Sequence, residues 1–237
     1  MRVITIAFAM FVTFTTQTSA QTLFEGMSND GSLSGTAIQM FLLVTVLSLA
    51  PGIAIMVTCF PFIITVLAIL RQALGLQQSP PNMLLVSLAL FLTYYVMDPV
   101  FTEAWARGAV PFLAEEITLD QAIAKAYVPF ESFMSARADP DTITSLQELR
   151  DGKSGVETSA SVLIPAFMLS EVSRAFQVGF LIFLPFLIID LVVAAVLMSM
   201  GMMMVPPVIV SLPFKLSFFV VADGWRLVSE GLLRGYL

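Results

Sequence analysis

The sequence predicts an all-α membrane protein, with about four hydrophobic helical segments arranged as two kinked hairpins and a helical polar insert between them. Three observations predict it. First, 58% of the 237 residues are hydrophobic and only 12% are charged, against roughly 45–50% and about 25% in soluble domains. So few charges cannot coat a water-facing surface, and part of the solvent must be lipid or partner protein. Second, apolar stretches recur in two blocks, each long enough for more than one helix of about 20 residues. Third, a strongly acidic segment separates the blocks and cannot sit in hydrocarbon.

Residues 1–20 read as a secretory signal. Arg2 precedes a charge-free run over 3–14, and small residues end at Thr18-Ser19-Ala20. Cleavage there places Gln21 at the start of the mature chain, and residues 21–35 are a polar lead-in rich in Gly and Ser.

Residues 36–102 form the first hydrophobic hairpin. The charge-free stretch 35–70 exceeds one crossing, so Pro51-Gly52 and Pro61 are expected to interrupt it. Arg71 closes the run and Gly75 is placed as a C-cap. The polar turn 77–82 leads to a shorter apolar run expected to end at Asp98-Pro99, with a weak continuation to Trp105.

Residues 103–160 are the acidic insert, carrying Glu115, Glu116, Asp120, Glu131, Asp139, Asp141, Glu148 and Asp151, with helical spacing over 122–126 and 143–149. Residues 161–222 are the second hairpin, with its clearest span at 178–200, a turn at 201–207 and a second arm containing Pro213 and Lys215. In the amphipathic tail 223–237, Asp223, Arg226, Glu230 and Arg234 share one helical stripe. Arg71 and Lys215 lie near the two expected inner turns, which turns the insert and tail toward the periplasm.

Composition excludes several chemistries. The chain has no histidine and a single cysteine, Cys59. Histidine-dependent nucleophilic catalysis, His-ligated metals, intrachain disulfides and thiolate clusters are therefore closed to it. A net charge of −6 argues against nucleic acid. An intramembrane aspartyl protease would need a Gly-x-Gly-Asp context, and Asp98, Asp190 and Asp223 all lack it. The chain is read as a non-enzyme without cofactor or metal.

Three constellations remain. Asp190 and Lys215 are the deepest charges of the second hairpin, and the turn between them lets the two meet. They read as a buried pair fixing helix register or as a proton path. If they serve only each other, exchanging the two residues should restore what either loss removes. Met198, Met200, Met202, Met203 and Met204 cluster around Gly201. They read as apolar filler or as a soft seal of unbranched, polarizable side chains. Glu171 and Arg174 lie three apart on a helix, as a local ion pair or a subunit contact.

Two blocks resemble the FliP family of flagellar type III export gate proteins and their injectisome relatives. Residues 70–99 read LRQALGLQQSPPNMLLVSLALFLTYYVMDP, and residues 164–233 contain GMMMVPP followed by LPFKL. The resemblance covers nearly all of the chain beyond the signal, and the signal itself favours the flagellar branch. It implies a pore-forming gate subunit that passes unfolded flagellar subunits across the bacterial inner membrane at the basal body. It also implies five copies assembled with FliR and FliQ, alongside other export apparatus proteins. The family's methionine loop corresponds to Met202, Met203 and Met204, and its helix charges to Glu171, Asp190 and Lys215. Its insert Phe-Met pair corresponds to Phe133 and Met134, which with Glu171 and Arg174 are candidate subunit contacts. Two basic residues of the family pattern are missing: Phe62 stands in place of one and Glu131 in place of the other. The competing readings are an injectisome gate subunit and, from a different class, an ion channel or proton-coupled transporter using Asp190 and Lys215. A transporter would call for paired repeats with matched interrupted helices, and no internal repeat is visible.

Overall fold

A computed structural model describes residues 33–76, 79–151, 159–202 and 204–236. The signal segment, most of the lead-in and Met203 lie outside the described residues. Among those described, every regular element is helical. The helices are α1 (Leu33–Met56), α2 (Phe60–Ala73), α3 (Asn82–Ala104), α4 (Val110–Leu113) and α5 (Leu119–Arg137). There follow α6 (Pro140–Asp151), α7 (Ala160–Ser199), α8 (Pro207–Val221) and α9 (Gly224–Arg234). The chain is an all-α membrane protein. Among the described residues, two continuous helical stretches, Asn82–Leu113 and Ala160–Ser199, are long and apolar enough to cross a bilayer, and there are up to four spans if each bent pair counts as one.

The chain divides after Gly52 into two units. The described part of the first is α1 up to that point. Pro51-Gly52 was expected to interrupt the run, but it lies inside α1, as proline and glycine are tolerated in membrane helices. The break comes after Met56. Cys59 then caps α2, whose first turn holds Pro61, a position where the missing N–H costs no helix bond.

The second unit is built around α2. Its residues Phe62, Ile63, Val66, Leu67, Leu70 and Ala73 are all buried, and the helix packs on α7 and α3. Each large aliphatic side chain so buried contributes about 1.5–3 kcal/mol. Gly179 makes the α2–α7 approach possible. A Cβ there would come within 2.4 Å of Ile69 Cδ1. At the end of α2, Gly75 adopts φ +75° and donates its N–H to the Gln72 carbonyl, as its capping assignment expects.

The apolar run through residue 97 does not stop at Asp98-Pro99, and the weak continuation expected to Trp105 is a full helix. Pro99 sits inside α3, and the helix continues through a π-helical turn, Trp105–Ala109, into α4. Pro99 forfeits one backbone bond, but its fixed φ is helical. Beyond it, Glu103 and Arg107 pair at 2.5 Å one turn apart. The continuation is held from outside, where Gly108 lies so close to α5 that a Cβ would meet Ala126 Cβ at 2.6 Å and the Ala122 carbonyl oxygen at 2.8 Å. The long arm α7 begins at Ala160, one residue before the expected start of the second hairpin, runs 40 residues and carries Pro165 and Pro185 within it. At 1.5 Å per residue it is about 60 Å long, twice the hydrocarbon core of a bilayer.

The insert is helical where its spacing said it would be. The Thr118 backbone N–H donates to the Gln121 side chain at the start of α5, and Asp139 accepts from the Thr142 N–H at the start of α6. The α5–α7 seam is a small cluster of Met134, Ala138, Leu163, Ala166 and Phe167. α8 and α9 meet at 63°. Asp223, at φ +50°, makes that corner, and Arg226–Glu230 and Arg234–Glu230 pairs line the outer stripe of α9.

Candidate functional site

Three places gather the residues singled out above. The first is a polar staple inside the α2–α7–α8 junction. Lys215 is buried, and its Nζ donates to Asp190 Oδ2 at 2.6 Å and to the Ala73 carbonyl at 3.0 Å. That carbonyl is among the last four of α2, which have no partner within the helix and sit at its negative end. Ser211 Oγ donates to the other oxygen of Asp190 at 2.5 Å. Three helices thus share one ammonium and one carboxylate, and each oxygen of the carboxylate has a donor. Lys215 is a buried cation whose charge is matched by Asp190 at the junction. Ser211 was not foreseen. Its signal is present in the sequence all the same: it lies four residues before Lys215 in a largely apolar helix, and so on the same face.

The second place is a sealed node around Glu171, whose side chain is 0% exposed. Glu171 Oε1 accepts from Arg137 Nε at 2.9 Å and from Arg174 at 3.0 Å. Its Oε2 accepts from the Tyr236 hydroxyl. Arg137 also donates to the Gly235 carbonyl at 3.0 Å and lies 3.7 Å over the Tyr236 ring. Arg174 reaches the Arg137 carbonyl at 3.2 Å. Burial, and then the charge of Glu171, push the Tyr236 phenol above its ordinary range, so it stays a donor at neutral pH. Glu171 and Met134 are 0% exposed within this chain and have no surface left for a subunit contact. Phe133 is half-buried between Phe167 and Tyr236. Of these four candidates, only Arg174, at 39% exposure, keeps a sizeable outward face. Phe62 lies edge-on to Tyr236 with ring centroids 5.4 Å apart, so the position that lacks a basic residue is filled by an aromatic wall. Arg137 and Tyr236 were not foreseen. They come from elements 34 and 65 residues away from Glu171, with no local pattern to join them.

The third place is the reversal between α7 and α8. Gly201, at φ +72°, follows the last turn of α7, with Gly201 N–H bonded to the Met198 carbonyl and Met202 N–H to the Leu197 carbonyl, a Schellman stop. Pro206 and Pro207 then start α8. Met204 is 97% exposed, Met200 66% and Met202 42%. These side chains project from a tight turn instead of filling a core. Among the described residues, no group of three or more His, Cys, Asp or Glu side chains is placed to hold a metal.

Long apolar helices stapled by a largely buried ion pair, a helical acidic insert and an exposed methionine turn define an all-α membrane protein. Comparison with known sequences narrows the class. The FliP family model matches residues 43–232. The flagellar biosynthetic protein FliP of Caulobacter vibrioides is 49% identical over 213 residues, covering 89% of this chain and 80% of that protein. The protein of the same name from Agrobacterium fabrum is 48% identical, covering 87% and 86% of the two chains. That from Bacillus subtilis is 44% identical, covering 88% and 96%. This chain belongs to the FliP family.

Proposed function

We propose that this chain is a pore-forming subunit of the flagellar type III export gate in the bacterial inner membrane, at the base of the flagellum, through which unfolded flagellar subunits pass. The observation that carries the gating role is the methionine turn. Flexible, apolar, unhydrated side chains project from the tip of two long helices, where a ring of copies would bring them together. Such side chains close against one another without leaving a polar group unpaired, and they part around a polypeptide of any sequence. Oligomerisation is supported by α7. It is about twice as long as a bilayer core requires, and Phe176, Phe180, Leu181, Ile188, Leu191 and Val192 are all exposed along it. The surplus apolar length calls for protein neighbours. By the family resemblance these are further copies of this chain, five in all, with FliR, FliQ and other export apparatus proteins.

The test is replacement of Met202, Met203 and Met204 by alanine in the chromosomal gene. The expected outcome is an assembled gate that leaks small ions and solutes while flagellar subunits are still exported at least in part. An assembled gate that stays tight, or a gate that fails to assemble with no change in permeability, would assign the methionines to packing and overturn the gasket role.

A further inference from the structure

The node around Glu171 does more than bury a charge. It joins three segments far apart in sequence: Arg137 in the last turn of α5, Glu171 and Arg174 on α7, and Gly235-Tyr236 beyond α9. We propose that Gly235-Tyr236 is a clasp that holds the outer half of the insert, from Phe133 through α6, against α7, and that opening it frees that half as a unit while the α2–α7–α8 body stays packed.

The clasp bears on the insert through Phe133 and Arg137, while the Tyr236 ring also lies edge-on to Phe62 in the first turn of α2. The Tyr236 ring stacks on Phe133 at 6.3 Å with an interplanar angle of 16° and forms the platform under the Arg137 guanidinium. The Gly235 carbonyl takes one N–H of that guanidinium, and the phenol takes the Glu171 oxygen that the arginines leave open. Two guanidinium groups face one carboxylate, so without the clasp Arg137 loses its backbone acceptor and its aromatic face together. Apart from the clasp, this half of the insert is held by the buried Met134 and Ala138 on Leu163, Ala166 and Phe167, by the half-buried Ile143 and Leu146 packed on them, and by the Asp139 N–H donated to Ser170 Oγ at 2.8 Å. The inner half of α5 is held separately by the close approach of Gly108 to Ala122 and Ala126. It therefore serves as the fixed end about which the outer half moves. Segments with few buried apolar contacts are those that open below the free energy of global unfolding.

The test is hydrogen–deuterium exchange of the full chain in detergent, read by peptide mass. In Tyr236→Ala, backbone amides within 133–151 are expected to exchange about tenfold faster or more, since a hydrogen bond to a charged group and a stacked ring are lost together. Amides of 119–128, of α7 and α8, and of α2 beyond its first turn, where Phe62 touches the Tyr236 ring, keep their protection. Tyr236→Phe keeps the ring and removes only the hydroxyl, so a smaller acceleration of the same segment is expected, and this milder variant decides the matter if Tyr236→Ala does not fold. Arg234→Ala, on the exposed face of α9, leaves the exchange unchanged. Equal protection of 133–151 in all the variants overturns the proposal. So does acceleration spread evenly over the insert and the α2–α7–α8 body, because the segment would then be ordinary core.

Discussion

At the residue scale, the staple shows how much an ion pair's third partner matters. Removing either Asp190 or Lys215 leaves the other with a poorly solvated charge, a loss that typically costs about 3–5 kcal/mol for a buried pair and less where one partner is partly exposed, as Asp190 is. Lys215→Ala and Asp190→Ala should each lower the thermal midpoint of the detergent-solubilised protein and its yield in membranes. The sequence alone leads one to expect that exchanging the two residues restores the pair. The structure reverses that expectation, because Lys215 Nζ also donates to the Ala73 carbonyl. A carboxylate placed at 215 would face that oxygen with no proton to share. Asp190→Lys/Lys215→Asp is therefore expected to be no better than the single variants, while the uncharged double Asp190→Asn/Lys215→Met should be more stable than Lys215→Ala. A rescued exchange would mean that the Ala73 contact contributes little.

At the scale of elements, α2 and α7 meet because Gly179 has no side chain. Alanine is the better helix former by about 1 kcal/mol, yet its Cβ would lie 2.4 Å from Ile69 Cδ1, 3.1 Å from its Cγ2 and 3.3 Å from its Cβ. Overpacking of this kind costs typically 1–3 kcal/mol. Gly179→Ala should therefore lower the thermal midpoint, and Gly179→Ala/Ile69→Val, which removes the nearest methyl, should recover most of the loss. A Gly179→Ala variant that melts at or above the parent would show the helices able to part without cost. The same scale explains how the helices run on. Pro99 marks a stop by propensity, but packing of Gly108 on α5 rewards continuation. α7 runs unbroken through Ser170, Glu171 and Arg174, whose polar groups find partners both within the helix and on other segments.

At the scale of the whole molecule, the lone cysteine becomes a tool. Cys59 is fully buried, so the parent chain should give little background with a membrane-impermeant maleimide. Ala124 is exposed on α5. Ala124→Cys is expected to label in intact cells with permeabilised outer membranes, which places the insert outside the cytoplasm. Labelling only after the inner membrane is broken would invert the topology. The signal pattern at residues 1–20 makes a companion expectation, a purified chain whose mass begins at Gln21.

Composition and pattern alone determined that the chain is helical, that it belongs in a membrane, that an acidic helical insert divides two apolar blocks, and that Asp190, Lys215 and the methionine cluster merit attention. These are properties of single segments, set by hydropathy and by residue spacing along one helix, and a linear reading can sum them. Only the tertiary structure decided that Ser211 and the Ala73 carbonyl complete the staple, that Glu171 and Met134 face inward, and that Arg137 and Tyr236 close around Glu171. The physical reason lies in the cost of burying a polar group. A buried charge must find partners, but the requirement does not say where along the chain they lie. Here they come from helices brought together by apolar packing, which carries no record in the local sequence of the residue it will meet.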